Sequence, residues 1–512
     1  MRILIFLGLM LASQLSAQVT NVKIGQIKRS VEPSICLDPN NPDVLVAGAV
    51  LDELYTSRDG GKTWTMGHLQ SSFGVWGDPV IVVDTAGSFY YFHLSNPPFG
   101  TWIDRIVCQR SDDQGKTWSN GTFTGLNEKR AQDKHWAVVD RNTNAIYLTW
   151  TQFDRYNSRA PQDSSVILFS KSNDRGETWS KPMRINQVAG NCLDSSETTE
   201  GAVPTMGPNG EVYVAWAGPA GLRFDRSLDG GETWLDQDIL VDEYKAGWDY
   251  EVPGLSRCNG LPVTTSDLSG GKYQGRIYVN WSDQRNGLNN TDIWLKYSDD
   301  GGDTWSALKK VNDDQTERHQ FLTWLAVDQV TGFVYCVFYD RRNYDDHQTD
   351  VYLAVSKDGG DTFQNLRISQ EPFTPEDGVF FGDYNNLVAH NGRVRPIWAR
   401  MDQKKTSVWT ALYEEAAKPN SQSPKTAQVP DDQEPVYAAH TVKVKLKEAG
   451  EVSLYIKDKK GNRVSTVYQG LSLEAGVHEL TFNPTMELAE GKYRLELVTA
   501  KGSKCSSLHL KR

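Results

Sequence analysis

The sequence predicts an all-β protein: a seven-bladed β-propeller followed by a small β-sandwich. Three observations predict this. An eight-residue phrase recurs six times, a pair of short apolar strands recurs ahead of it, and aromatics make up 11% of the chain, including 16 Trp. The phrase reads S-x-D-x-G-x-T-W, at Ser57–Trp64, Ser111–Trp118, Ser172–Trp179, Ser227–Trp234 and Ser298–Trp305, with Phe in the last place at Ser356–Phe363. Self-similarity at a long, nearly fixed period marks a repeat architecture. The phrase is a hairpin by its chemistry. Its Asp bonds backbone N–H groups of a tight turn, its Gly accepts positive φ, and Thr-Trp starts the next strand.

In chain order, residues 1–17 read as a secretory signal, with Arg2, an apolar run from Ile3 to Ala12, and Ser16-Ala17 before Gln18. The propeller is expected over 18–415. Its inner strands are Pro33–Asp38, Pro79–Asp84, Trp136–Asp140, Ala202–Gly207, Pro262–Asp267, Thr323–Asp328 and Asn385–His390. Second strands follow, such as Ala145–Thr151 and Phe333–Tyr339. The seventh unit lacks the phrase, and Thr20–Ile27 is expected to complete it, since closure removes exposed sheet edges. Six blades with an irregular ending is the alternative. Residues 416–435 are a polar, Pro-bearing linker. Residues 436–512 alternate apolar and polar residues between turn signals, the pattern of a small antiparallel sandwich.

Charge and cysteines narrow the function. The net charge is −11, and the 13 Lys+Arg against 8 Asp+Glu after Val436 make only that end basic. Nothing here favours nucleic-acid binding. No stretch beyond the signal is long and apolar enough to span a membrane. Cys36, Cys108 and Cys336 lie in strand-like runs, whereas Cys192 and Cys258 sit in loops where a disulfide is open. No Cys/His metal spacing is present, no cofactor motif appears, and a monomer is expected.

Blade hairpins alternate between the two faces of the disc. If the phrase joins the third and fourth strands, the strand entrances and the loops after the second strands share the other face. Entrances there carry Glu32, Asp78, His135, Glu200 and Asp383-Tyr384, with Arg257 ahead of the fifth. Loops after second strands carry Asp154-Arg155, Asp283-Gln-Arg285 and Asp340-Arg341-Arg342, and Arg400 ends a strand of the seventh blade. Two readings stand side by side. Either the guanidinium groups ring a cavity and grip an anion bidentately, or each Asp–Arg pair is a loop salt bridge repeated with the blade. Carboxylates with a Tyr and a His suit acid/base or nucleophilic chemistry. Equally, His135 is a histidine stacked beside Trp136, and Glu32 and Asp78, each before Pro, cap strands. Glu32, Asp78 and Asp383 also form a conceivable cation site, without a spacing motif to support it.

The repeated phrases make residues 30–413 resemble the sialidase superfamily of Asp-box, or BNR-repeat, propellers. Gly382-Asp383-Tyr384-Asn385-Asn386-Leu387 falls where those enzymes carry a nucleophilic Tyr. Glu200-Gly201-Ala202-Val203 resembles the segment bearing the Glu that activates it. The resemblance implies Tyr384 as nucleophile or base, Glu200 as its partner and Arg257 as the nearest candidate for a third family Arg. The front face adds His135 and Asp78 as acid/base candidates and Arg155, Arg285, Arg341, Arg342 and Asp383 around the substrate. The chain departs from the pattern at Val31-Glu32-Pro33, where the family has an Arg, and at Ala215-Trp216-Ala217, where a second Arg belongs. Asp458–Gly461 through Leu495 resembles the sorting domains of type IX secretion, which implies export to the surface or medium. The expected function is a secreted propeller acting on an acidic glycan as hydrolase or lyase, with no metal or cofactor. The alternative is a non-catalytic glycan- or protein-binding propeller.

Overall fold

The computed structural model describes residues 19–25, 30–245, 247–415, 441–446, 449–459, 463–473, 475–481, 491–499 and 502–510. The expected signal (1–17) and linker (416–435) lie outside them. The chain divides into two units, Met1–Ala417 and Lys418–Arg512.

In the first unit the described residues form seven four-stranded antiparallel sheets and one two-stranded ribbon, Asp249–Tyr250 with Cys258–Asn259. The innermost strands are Ser34–Asp38, Val80–Val83, Ala131–Val139, Glu200–Met206, Val263–Ser266, Gln320–Val327 and Asn386–His390. Each touches the next, and the seventh touches the first, so the ring is closed. Both faces of a blade are covered by neighbours. Strands such as Ile146–Phe153 and Val334–Asp340 are therefore buried along their whole length, polar residues such as Thr149, Thr151 and Asp340 included. The seventh sheet is completed by the N-terminal strand Thr20–Gly25, which pairs antiparallel with Lys405–Glu414.

All six phrases fall between the third and fourth strands of their blades and share one hydrogen-bond set. In the fourth, the Ser227 hydroxyl donates to Asp229 Oδ1 (2.7 Å) and accepts from Gly231 N (2.7 Å), while Thr233 donates through N (2.9 Å) and Oγ1 (2.6 Å) to the same carboxylate. The corresponding bonds recur at Ser57, Ser111, Ser172, Ser298 and Ser356. The phrase also joins blades. Trp234 packs edge-on against Phe169 of the preceding blade at 5.0 Å, and Trp305 against Phe224 at 5.2 Å. Gly231 and Gly302, at φ +85° and +97°, lie against those same rings, and a Cβ would sit 2.3 and 2.2 Å from them. Glycine is thus required there by backbone conformation and by space.

The second unit contains two antiparallel sheets. One pairs Thr441–Leu446 with Gly476–Thr481; the other runs Arg463–Leu473, Gly450–Lys457, Gly491–Thr499, Gly502–Leu510. Val452, Leu454, Ile456 and Leu495 are buried within it. All six cysteines are free thiols, so Cys192 and Cys258 do not pair.

Ser227→Ala removes a buried hydroxyl and orphans the Gly231 N–H; a loss of about 1–3 kcal/mol is expected in denaturant titration. Deleting Thr20–Gly25 leaves Lys405–Glu414 as an open edge, and self-association in gel filtration together with a lowered Tm is expected.

Candidate functional site

With the phrases on one face, the opposite face holds the strand entrances and the loops after the second strands. A cavity of about 1110 Å³ opens there. Glu32, Asp78, Asp133 and Lys134 line it together with Trp76, Trp102, Tyr156, Phe380 and Arg257. Three of the acid-bearing or basic entrances share a backbone device. Glu32, Asp78 and Lys134 have φ of 53°, 50° and 46°, and Gly201 occupies the same place in the fourth blade at 77°. Left-handed backbone at a non-glycine residue is strained and concentrates at functional sites.

At the floor, Asp383 is buried and accepts from two cations. Lys134 Nζ lies 2.5 Å from Oδ2, Arg257 Nε lies 2.7 Å from Oδ1, and Arg257 Nη2 also donates to Oδ2. Asn259 Nδ2 donates to its carbonyl (2.9 Å), and Asp383 N donates to Glu32 Oε1 (3.1 Å). Burial alone would raise the Asp383 pKa, but the Lys134 ammonium and Arg257 guanidinium hold it well below the usual range. Lys134 is pushed up despite its burial by Asp383, Asp78 and Glu32.

The other acids have the opposite problem. Burial, reinforced by Asp78 and Asp383, raises Glu32 well above the usual carboxylate range. Burial also raises Asp78, against the pull of Lys134. Asp133 is pushed to about 7 by burial, with Asp78 and Asp194 adding to it. Lys134 Nζ is 3.7 Å from Asp78 Oδ2, which has no hydrogen-bond partner. The site thus combines Asp383, whose carboxyl is held low, with Glu32, Asp78 and Asp133, whose carboxyls burial raises.

The structure rearranges the expected constellation. Asp78, Asp383 and Arg257 do meet at the centre. Tyr384 lies beneath the floor, 9% exposed, beside a water-sized void of about 30 Å³ that Trp136 and Trp324 also line. Its hydroxyl has no hydrogen-bond partner, and neither has the Glu200 carboxyl, so the expected Tyr384–Glu200 hydrogen bond is not formed. Burial together with Asp78 and Glu32 raises the Tyr384 pKa, whereas burial and Asp194 raise that of Glu200. His135 points away, with its ring 6.5 Å from Phe92 and its pKa lowered to about 3 by burial and the neighbouring His93. Burial thus favours its neutral form, and it does not line the large cavity. A bulge between Asp133 and Trp136 gives the central place to Lys134 instead.

The expected arginine ring does not form. Arg285 is held by Asp283 (2.5 Å) and Asp242 (2.9 Å), Arg342 by Asp340 (2.7 Å) and Asp313 (2.5 Å), and Arg400 by Asp402 (2.8 Å). Arg155 is exposed, and its neighbour Asp154 pairs with Arg130 (2.8 Å). None of Arg155, Arg285, Arg341 or Arg342 lines the large cavity. The repeated loop salt bridge is the reading that describes Arg285 and Arg342. The conceivable cation site at Glu32, Asp78 and Asp383 is filled from within by the Lys134 ammonium, and among the described residues no His/Cys/Asp/Glu group has metal-holding geometry.

Sequence reasoning missed Lys134, Asp133 and the aromatic wall. Trp102 packs edge-on against Trp76 (6.1 Å) and Tyr156 (5.4 Å), and Tyr156 donates to Asp194 Oδ2 (2.8 Å). The available signal for Lys134 was its place two residues ahead of Trp136, matching Glu32 ahead of Ser34 and Asp78 ahead of Val80.

The BNR/Asp-box repeat family model matches residues 55–66, 109–120 and 296–307. No curated protein matches the chain. Among solved structures, the chain is similar to a protein of unknown function from Dyadobacter fermentans (14% identity, 78% of this chain, 99% of that chain, TM-score 0.45). It is also similar to an ulvan lyase of polysaccharide lyase family PL25 (12%, 77% and 96%, 0.47) and to the NanB sialidase of Streptococcus pneumoniae (10%, 72% and 83%, 0.43). The chain carries BNR/Asp-box repeats on an all-β propeller, and the resemblance stands at the level of repeat and fold. Among the described residues no helix is long and apolar enough to cross a membrane.

Lys134→Met leaves the buried Asp383 with one cation, and a loss of about 3–5 kcal/mol is expected in denaturant titration. Asp133 binds a proton more tightly folded than unfolded, so its contribution favours folding at low pH and is lost as pH rises from about 4 to about 7. Asp133→Asn should therefore raise Tm at pH 8 and change it little at pH 4.

Proposed function

We propose that the propeller binds a glycan in its front cavity and hydrolyses it by paired carboxyl chemistry. The observation that carries this reading is the pair Asp78 and Asp133 facing a large aromatic-walled cavity, with Asp133 poised at about 7. Aromatic side chains with a polar edge, such as Tyr156 and the two Trp, present apolar faces to sugar rings while keeping a polar handle. Asp133 donates its proton to the departing glycosidic oxygen. Asp78, through its unpartnered Oδ2, takes a proton from the water that adds to the anomeric carbon. The charge of Asp78 raises Asp133, so an ionised Asp78 favours the protonated form of Asp133 and puts base and acid in the site together. Lys134 positions Asp78, and Tyr384 supports the floor rather than acting as nucleophile. Arg285, Arg341 and Arg342 do not line the cavity and Lys134 and Arg257 are bound to Asp383, so Lys404 and Lys405 are the basic lining residues left to meet an acidic sugar. The expected signal and the resemblance to a sorting domain support action outside the cell, as a secreted or surface-attached protein.

A binding-only role is the second reading, favoured by the solvent exposure of Trp76 (36%) and Trp102 (40%). The two are separated by turnover. Neutral, uronic and sulfated glycans are screened with the full chain, and the best substrate is assayed with Asp133→Asn. A fall in kcat of about 100-fold or more is expected, with Kd changed less than about threefold. The wild-type rate should decline above about pH 7 as Asp133 loses its proton. Undiminished turnover in Asp133→Asn sinks the assignment, and binding without turnover on every glycan selects the binding-only role.

A further inference from the structure

A second cavity, of about 660 Å³, lies at the same face between the loop after the second strand of the sixth blade and the segment entering that blade. Its lining includes Arg341, His319 and His347, none of which the proposed chemistry uses. Arg341 is 3% exposed. Its Nε donates to Thr349 Oγ1 (3.0 Å) and its Nη1 to the Pro253 carbonyl (2.6 Å), while Nη2 has no partner. The guanidinium also stacks on Phe321, with its carbon 5.2 Å from the ring centroid.

What sets Arg341 apart is the missing anion. The neighbouring Arg342 is paired with Asp340 and Asp313, and Arg318 with Asp345. Asp346 is occupied by its own loop, accepting from Gln348 N (2.8 Å) and Nε2 (3.0 Å). Among the described residues no carboxylate lies within ion-pairing distance of Arg341. A buried cation without a counter-ion is costly, and burial accordingly lowers the Arg341 pKa to about 10. Glu317, Asp345 and Asp346 also line the cavity, and two histidines stand among them. His319 Nδ1 is bonded to Thr291 Oγ1 (2.9 Å), and His347 rests against Gly254, where a Cβ would meet its ring nitrogen at 2.7 Å.

We propose that this cavity is an oxyanion site, separate from the front cavity, in which Arg341 Nη2 receives the carboxylate or sulfate of a sugar. A planar guanidinium pre-set by two hydrogen bonds and a ring holds such a group without further ordering. The site does not depend on the hydrolytic reading, because it involves neither Asp78 nor Asp133.

The test is calorimetric titration of the full chain with sodium sulfate and with sodium glucuronate, against sodium chloride at equal ionic strength. Saturable binding of one or both is expected, and the stronger arm identifies the group. Asp78→Asn should bind equally well. Arg341→Gln should weaken binding at least tenfold. His347→Glu, at an exposed position that leaves Arg341 intact, should do the same by placing a carboxylate in the cavity. No saturable binding overturns the proposal. So does wild-type affinity in Arg341→Gln or, should that variant not fold, in His347→Glu.

Discussion

The burial of one carboxylate, that of Asp383, constrains the whole front of the ring. An ionised acid removed from water must be compensated nearly in full. The compensation comes from far along the chain, from Lys134 of the third blade and Arg257 of the loop entering the fifth, while Asn259 beside it donates to the Asp383 carbonyl. The Asp383 amide in turn reaches Glu32 at the start of the first blade. The side chain and backbone of this one residue thus gather three other segments of the disc. Its second effect is electrostatic. Both central cations are bound to Asp383 and, through Arg257, to Asp194 (3.0 Å), and burial pushes Glu32, Asp78 and Asp133 upward against the remaining pull of Lys134.

Stability and chemistry occupy opposite faces. The six phrases close hairpins on one face and wedge an aromatic ring against the preceding blade, as Trp234 does on Phe169. Where the first phrase meets the seventh blade, the contact is made differently. Arg395 donates to the Gly60 carbonyl (2.6 Å) and pairs with Glu414 (2.6 Å), while Arg393 pairs with Asp43 (2.8 Å). The guanidinium of Arg395 lies under Gly61, the place that Phe169 and Phe224 fill at Gly231 and Gly302. Blade-to-blade contact at that glycine is therefore preserved while its chemistry changes from ring to cation.

Much of this architecture is legible in the amino-acid order. The Ser, Asp, Gly, Thr and Trp of the phrase each answer a local demand, so the turn is readable wherever it occurs. The centre is less so. His135 rather than Lys134 looked like the central residue of the third blade, because a strand without bulges would place it there. The bulge ahead of Trp136 shifts the register by one residue, and in a structure of period two that sends the neighbouring side chain to the other face. The arginines misled for a related reason. Asp283-Gln-Arg285 and Asp340-Arg341-Arg342 look alike, yet Arg285 and Arg342 fold back on their Asp while Arg341 alone turns inward to Pro253 and Phe321.

The residue order by itself determined what is local and periodic: the hairpins, the short strand pairs and the face on which the phrases lie. Those features depend on interactions spanning a few residues, repeated. Tertiary structure alone decided which acids are charged, that Tyr384 sits under the floor without a partner, and that Trp76 and Trp102 wall one cavity. A side chain's protonation depends on dielectric and on charges brought near from distant segments, and Lys134 meets Asp383 across 249 residues of chain. No local pattern encodes that distance; ring closure does.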